Sequence, residues 1–529
     1  MSRTLYRNAR FFTAEGQAPA DAVVVEGDVF VFVGAESDAP SADEAVDLGG
    51  RAVLPGFTDA HTHLLMMGDA LGQVGLTDAG SLEEIQARLR AARSSASGAL
   101  RGRGWLFDAV PGGAPTAAMI DAAVADIPVY LDANDYHSCW LNTAALAELG
   151  ITRDTPDPIG GRIQRDADGE PTGMLYETAA QQFAWAHHDA MTTDAQRDAG
   201  VDRVVAAYLA SGVTGAVDMA FDDLGLAALG RAARRGALPL RVAAHWFVAN
   251  TGDDEQNLAQ VAQAAEHAAA ETAGVQVIGI KLVLDGTIDA CTAAMGAPYA
   301  DGSNADPIWP AERLFPVVAA ADAAGLQIAL HAIGDGASTL ALDAIEHAIA
   351  VNGDLPRRHR IEHLEYAAPG TAERMARLGV TASMQPVHAD PAIFANWAAQ
   401  LGDERADRGF AWPEYEDAGA LLAFSTDAPT APHEALANMY VASTRASALD
   451  PSVPAVHPQY ALPLERAIVH ATKDAAASIG EGDRRGSIAV GQLADFAVLD
   501  ADPFTEGPES LLSARVVRTV IGGRTVYEI

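Results

Sequence analysis

The chain has 529 residues, 49% of them hydrophobic and 20% charged, which exceeds one ordinary domain and fits a large globular barrel with attachments. Its formal net charge of -36 argues against nucleic acid as a partner, because phosphates would be repelled, and serves solubility. No stretch reaches membrane-spanning length without charged or polar breaks, so no membrane partner is expected either.

The opening MSRTLYRNARFF lacks the long apolar core of a signal peptide. Cys139 and Cys291 are far apart and form no metal motif, a usage that fits a reducing compartment, so a cytoplasmic location is the expectation. Residues 4–55 read as short strands punctuated by turn residues: LYRNARFFTA, DAVVVEGDVFVFVGA and AVDLGGRAVLPG. The same texture returns near the end in GQLADFAVLDADP and RVVRTVIGGRTVYEI, so residues 1–55 and 480–529 are expected to build one small composite β-sandwich domain.

Between those ends, apolar strand-like runs alternate with alanine-rich helical runs such as LFPVVAAADAAG and ASTLALDAIEHAIAV, the pattern of an α/β protein with a parallel sheet. The strand candidates are residues 53–63, 212–220, 239–247, 275–284, 326–332, 359–366, 380–386 and 421–429. Eight such units predict a (β/α)8 TIM barrel over residues 56–479, whose chemistry sits at the C-terminal strand ends; a doubly wound sheet is the alternative. The gap over about residues 66–210 is too long for a bare loop and reads as a structured insertion covering the site. It carries a helical SLEEIQARLRAARSSA, a strand-like PVYLDAN and a turn-rich PDPIGGRIQRDADGEPTG. Its Trp105, Tyr136, His137 and Trp140 are candidates for shaping a pocket, with ordinary packing as the alternative for each.

His61 and His63 in TDAHTHLL stand at i and i+2, on one face of a strand, with Asp59 one repeat earlier. Two neutral imidazoles on one face grip a divalent ion such as zinc, although chance histidines share this spacing. Further metal-suited residues lie at the ends of predicted strands: Lys281 on the fourth, His331 on the fifth, His363 on the sixth and Asp427 on the eighth. In a barrel these ends converge on one rim. A lysine ammonium has no lone pair, so Lys281 is either carboxylated to a bridging carbamate or an amine outside the ligand shell. Glu362 points away from His363 on a regular strand and is assigned a salt bridge outside the site. Asp427, in FSTDAP, is the general base and acid: it takes a proton from metal-activated water and passes it to the leaving group.

Taken together, LPGFTDAHTHLL, YLDANDYHSCWLNTAAL, GGRIQRDADGEPTGMLYE, IKLVLDG, HAIGD, RIEHLEY, TASMQPVHAD and FSTDAP resemble the amidohydrolase superfamily, and within it the YtcJ-like branch that includes N-substituted formamide deformylases. GSIAVGQLADFAVLDADPF is similar to the segment that returns such chains to the small β domain. The resemblance covers nearly the whole chain. It implies a barrel with a composite β-sandwich, and a divalent metal, zinc first, at one or two per chain. It makes His61, His63, His331, His363 and Asp427 metal-site residues. Lys281 matches a lysine that is usually carboxylated where two metals bind, and His137 a recurring histidine of the insertion that faces substrate. Asp285 and Gly286 fall in a loop after the fourth strand that borders the pocket. GTIDACTAAM departs from relatives, which often carry serine and arginine there, and this difference bears on substrate selection or the lid.

The expected activity is hydrolysis of a small-molecule amide or other C–N bond without an organic cofactor, possible homodimerisation being a family-level expectation. Esterase, lactonase or deaminase action on the same scaffold stands as the enzymatic alternative, and a non-catalytic small-molecule-binding regulatory protein as the alternative of another class.

Overall fold

The structure of the protein is a computed structural model that describes residues 2–94, 98–134, 136–270, 272–394 and 396–529. The chain divides into two compact units, one of Met1–Leu64 with Val201–Ile529 and one of Leu65–Gly200.

In the first unit eight parallel strands follow one another in chain order: β1 (Phe57–Thr62), β2 (Val213–Phe221), β3 (Arg241–Phe247), β4 (Val275–Val283), β5 (Gln327–Ala332), β6 (Arg360–His363), β7 (Thr381–Met384) and β8 (Leu422–Phe424). β1 and β5 are buried at every residue, so both faces of each strand are covered. Helices return the chain between strands, among them Asp223–Arg234, Asp254–Ala269, Ala311–Ala323 and Asp335–Asn352. Two begin at aspartate caps: Asp222 accepts the Gly225 N–H at 2.8 Å, and Asp253 the Glu255 N–H at 2.9 Å.

The sheet ends meet in a seam that excludes the doubly wound alternative. His63 N–H donates to the Ala428 carbonyl at 2.9 Å and Asp427 N–H to that of His61 at 2.8 Å, so the eight strands nearly close into a barrel. Buried Asp59 braces this seam, accepting the Thr426 N–H and the Tyr208 hydroxyl, each at 2.9 Å. Burial pushes its carboxyl up to about 6 against the pull of those bonds.

Three strand boundaries depart most from the sequence reading. The run over 53–63 divides at Gly56, after which β1 begins; the part before it closes a longer strand, Glu44–Pro55, of another sheet. A Cβ on Gly56 would lie 2.4 Å from the Thr214 side chain, so glycine allows the chain to cross there. The sixth strand stops at His363 because His363 and Leu364 both take positive φ, 75° and 52°. The eighth stops at Phe424, and Asp427 lies in the following turn with φ 58°.

The two chain ends of this unit share a seven-stranded sheet ordered Arg524–Glu528, Val516–Ile521, Phe496–Leu499, Glu44–Pro55, Arg3–Phe11, Ala20–Glu26 and Val29–Gly34. Phe496 centres its core, with Tyr6, Phe11 and Phe30 rings 5.1, 6.5 and 6.2 Å away.

The second unit has its own six-stranded sheet, ordered Gly161–Arg165, Pro171–Glu177, Ser138–Leu141, Val129–Ala133, Leu100–Trp105 and Val74–Gly75. The segment read as turn-rich is a hairpin, Gly161–Arg165 pairing antiparallel with Pro171–Glu177 around a tight turn in which Gly169 N–H donates to the Asp166 carbonyl at 3.1 Å. The helix Leu82–Arg93 starts at the Ser81 cap; Ser95 and Ala96, the end of the predicted helical stretch, lie outside the described residues. Among the described residues no helix is long and apolar enough to cross a membrane.

Candidate metal centre

The C-terminal rim of the barrel gathers residues separated by up to hundreds of positions. His61 is the penultimate residue of β1 and His63 follows the strand; Lys281, His331 and His363 lie at or near the ends of β4, β5 and β6; Asp427 follows β8. His63 Nε2 lies 2.9 Å and His61 Nε2 3.3 Å from Asp427 Oδ1, and Lys281 Nζ lies 3.4 Å from His61 Nε2. The His363 ring centroid is 4.9 Å from that of His61 and 4.3 Å from that of His331. All six residues predicted at the rim therefore meet in one place.

Neighbouring side chains aim these rings. His61 Nδ1 faces Glu362 Oε2 at 2.7 Å, which turns Nε2 toward Lys281 and Asp427. His363 Nδ1 faces Gln385 Oε1 at 2.8 Å, and the Gln385 amide donates to Ser425 Oγ at 2.8 Å. Fixing one imidazole nitrogen in this way sets the tautomer and leaves the other for a metal. His331 Nε2 lies 3.5 Å from Asp285 Oδ1.

Glu362 is placed differently from the sequence reading. It does form a salt bridge, its Oε1 2.5 Å from Arg360 Nε, but it also bonds His61 and is fully buried inside the barrel. Strict alternation fails because the backbone turns to positive φ at His363. Arg360 is itself saturated, donating further to Ala60 O at 2.7 Å, Ser383 Oγ at 2.7 Å and Ser478 Oγ at 3.2 Å.

His388, just beyond β7, is a site residue the sequence reading passed over. Its Nε2 lies 3.7 Å from Asp427 Oδ2 and 3.2 Å from Thr430 Oγ1, while Nδ1 faces Glu365 Oε1 at 3.0 Å. The strand-end rule that located the other histidines points equally to the histidine of TASMQPVHAD.

Electrostatics favours a cationic guest. Burial, with Lys281 next in effect, brings the His61 imidazole down to about 4; burial and the His331 ring hold His363 well below its usual range. Both rings are thus neutral donors. Burial lowers the Lys281 ammonium to about 8. His61, His63 and Asp427 offer ligand atoms within 4.8 Å of one another, as do His363, His388 and Asp427. Buried His63 Nδ1 and Asp427 Oδ1 lack a well-formed hydrogen bond, and this nitrogen- and oxygen-rich set fits a divalent ion.

The remaining candidates do other work. Asp285 is fully buried and accepts N–H bonds from Ile333 at 3.0 Å, Gly334 at 2.9 Å and Ala294 at 3.0 Å, so it ties loops together rather than bordering a pocket. Within the second unit, Trp105 has no exposed surface, donates to the Leu131 carbonyl at 3.0 Å and meets Trp140 edge-on, ring centroids 5.3 Å apart; it packs the core of that unit. Tyr136 is buried with its hydroxyl unpaired among the described residues, and His137 Nδ1 faces Glu177 Oε2 at 2.7 Å.

Comparison with known proteins finds relatives over nearly the whole chain. Residues 44–527 match the model of the amidohydrolase family. The chain is 31% identical to the putative amidohydrolase YtcJ of Bacillus subtilis, over 92% of this chain and 90% of that protein. It is 28% identical to the N-substituted formamide deformylase of Arthrobacter pascens, over 96% and 95% of the two chains. An uncharacterized metal-dependent hydrolase from Pyrococcus horikoshii superposes with a TM-score of 0.76 at 25% identity, over 96% of this chain and 99% of that one.

Proposed function

This chain belongs to the amidohydrolase family, and on that premise we propose that it hydrolyses an amide or other non-peptide C–N bond of a small molecule, using one or two divalent ions. The observation that carries this reading is the convergence of His61, His63, Lys281, His331, His363 and Asp427 on one rim, with His61 and His363 turned inward by their outer partners. The imidazole-rich set favours zinc. His61, His63, His331 and His363 would hold the ion, with Asp427 and a carboxylated Lys281 completing the shell. Lowering of the Lys281 pKa to about 8 supports carboxylation, because carbon dioxide adds to the neutral amine.

A bound divalent ion acidifies water and polarises a carbonyl. Asp427 takes the proton from the attacking water; its Oδ1 lies 2.9 Å from His63 Nε2, and its Oδ2 faces His388. The same carboxyl then delivers the proton to the departing nitrogen, so one residue serves both halves of the reaction. His388, braced by Glu365 and Thr430, keeps the second carboxylate oxygen in place.

The test combines elemental mass spectrometry of the purified protein with a screen of N-acyl amides, formamides, esters and lactones. Bound metal and C–N hydrolysis that falls by about 100-fold or more in Asp427→Asn, with metal retained, support the proposal. A protein that neither holds nor rebinds metal, or an Asp427→Asn variant with undiminished turnover, overturns it.

A further inference from the structure

The opposite, N-terminal mouth of the barrel holds a cavity of about 180 Å³ beneath the starts of β3, β4 and β5, closed on one side by residues 479–485. Four arginines line it, Arg241, Arg357, Arg358 and Arg485, against two carboxylates, Asp322 and Glu481. Such a concentration of cations is notable in a chain with 35 basic and 71 acidic residues.

Three of the four arginines are committed to partners. Arg357 grips Asp322 with two bonds of 2.7 and 2.8 Å, Arg241 grips Asp495 at 2.8 and 3.1 Å, and Arg485 bonds Glu481 and donates to Thr58 Oγ1 at 2.7 Å. Arg358 differs: its side chain has no hydrogen-bond or ion-pair partner among the described residues. It is nevertheless located, because a Cβ built on Gly480 would lie 2.8 Å from Arg358 Cζ, which sets the guanidinium against that glycine, between the lining residues Ile479 and Glu481. After the three pairs are counted, the lining keeps Arg358, a solvent-exposed cation with no ion-pair partner among the described residues, beside a small concave space.

We propose that this cavity binds a small oxyanion, a phosphate or a short carboxylate, with Arg358 as its principal partner. The planar guanidinium fork matches the paired oxygens of either group, and the flanking arginines add a favourable field. The site is independent of the metal centre, which lies at the other strand ends.

The test is isothermal titration calorimetry of the full chain with inorganic phosphate and, separately, succinate, on metal-replete and chelator-treated protein. Saturable binding near one equivalent, indifferent to metal and weakened about tenfold or more in Arg358→Ala, is the expected result. The stronger of the two probes identifies the headgroup. Arg358→Lys keeps the charge without the fork and should fall between; it carries the comparison if Arg358→Ala loses its cooperative melt. Absence of saturable binding, binding that survives loss of Arg358, or binding that disappears with metal would overturn the proposal.

Discussion

Replacing Glu362 with glutamine separates a positioning role from a merely structural one. Glu362 is fully buried, and its carboxylate bonds His61 Nδ1 at 2.7 Å and Arg360 Nε at 2.5 Å. The amide keeps an acceptor for one of these donors, but turns an N–H2 toward the other and leaves the Arg360 charge uncompensated. Breaking a buried pair in this way costs about 3–5 kcal/mol, a large part of the ~5–15 kcal/mol that holds a domain folded. Independently, losing the partner that orients a metal-binding histidine costs ~10–100-fold in metal affinity, about 1.4–2.7 kcal/mol. Guanidinium denaturation in chelator measures the first effect, and competition against a chromophoric chelator measures the second. Both are expected to change. A Glu362→Gln protein with wild-type metal affinity would refute the positioning argument, even if its denaturation midpoint fell.

His388→Asn should retain bound metal, since both ring nitrogens already face protein partners, while kcat falls about tenfold or more; lost metal would instead make His388 a ligand. His245 is wholly buried, and burial, with Arg360 next in effect, lowers its imidazole from 6.5 to about 3. The unfolded imidazole takes a proton below 6.5 while the folded one stays neutral, so its contribution to stability is present above 6.5 and drains away as pH falls toward 3. Thermal melts across that window should show a shallower slope in His245→Gln; an unchanged slope would remove His245 as a source. Gly279→Ala places a Cβ 2.0 Å from the Gln327 carbonyl oxygen, across the β4–β5 contact, and should destabilise the barrel by about 1–3 kcal/mol in urea titrations.

The barrel was legible because its strands are local patterns. All eight predicted runs contain a strand, and the errors fall at their ends. Gly56 divides one extended run between two sheets, positive φ at His363 stops a second strand early, and the eighth stops at Phe424, three residues before Asp427. Hydrophobic periodicity reports which residues face a core, not where the backbone leaves the ladder. The rim residues were legible for a second reason: imidazole, amine and carboxylate at successive strand ends carry their chemistry in their identity. Glu362 was assigned to the wrong surroundings because alternation presumes a regular strand at His363. Trp105 had ordinary packing as its alternative reading and Asp285 a place beside the pocket; burial puts the first in a core, and hydrogen bonding has the second tie loops together.

The amino-acid sequence by itself determined the strand and helix order and the donor types available at the strand ends, since these depend on side-chain chemistry and near-neighbour periodicity. Only the tertiary structure decided which ring nitrogen of His61 and His363 turns inward and that His388 belongs beside Asp427. It also left exposed Arg358 at the far mouth without an ion-pair partner among the described residues. Those outcomes depend on distances between residues remote along the chain, which closure of the sheet and the backbone turns at its rim establish, and no local propensity encodes them.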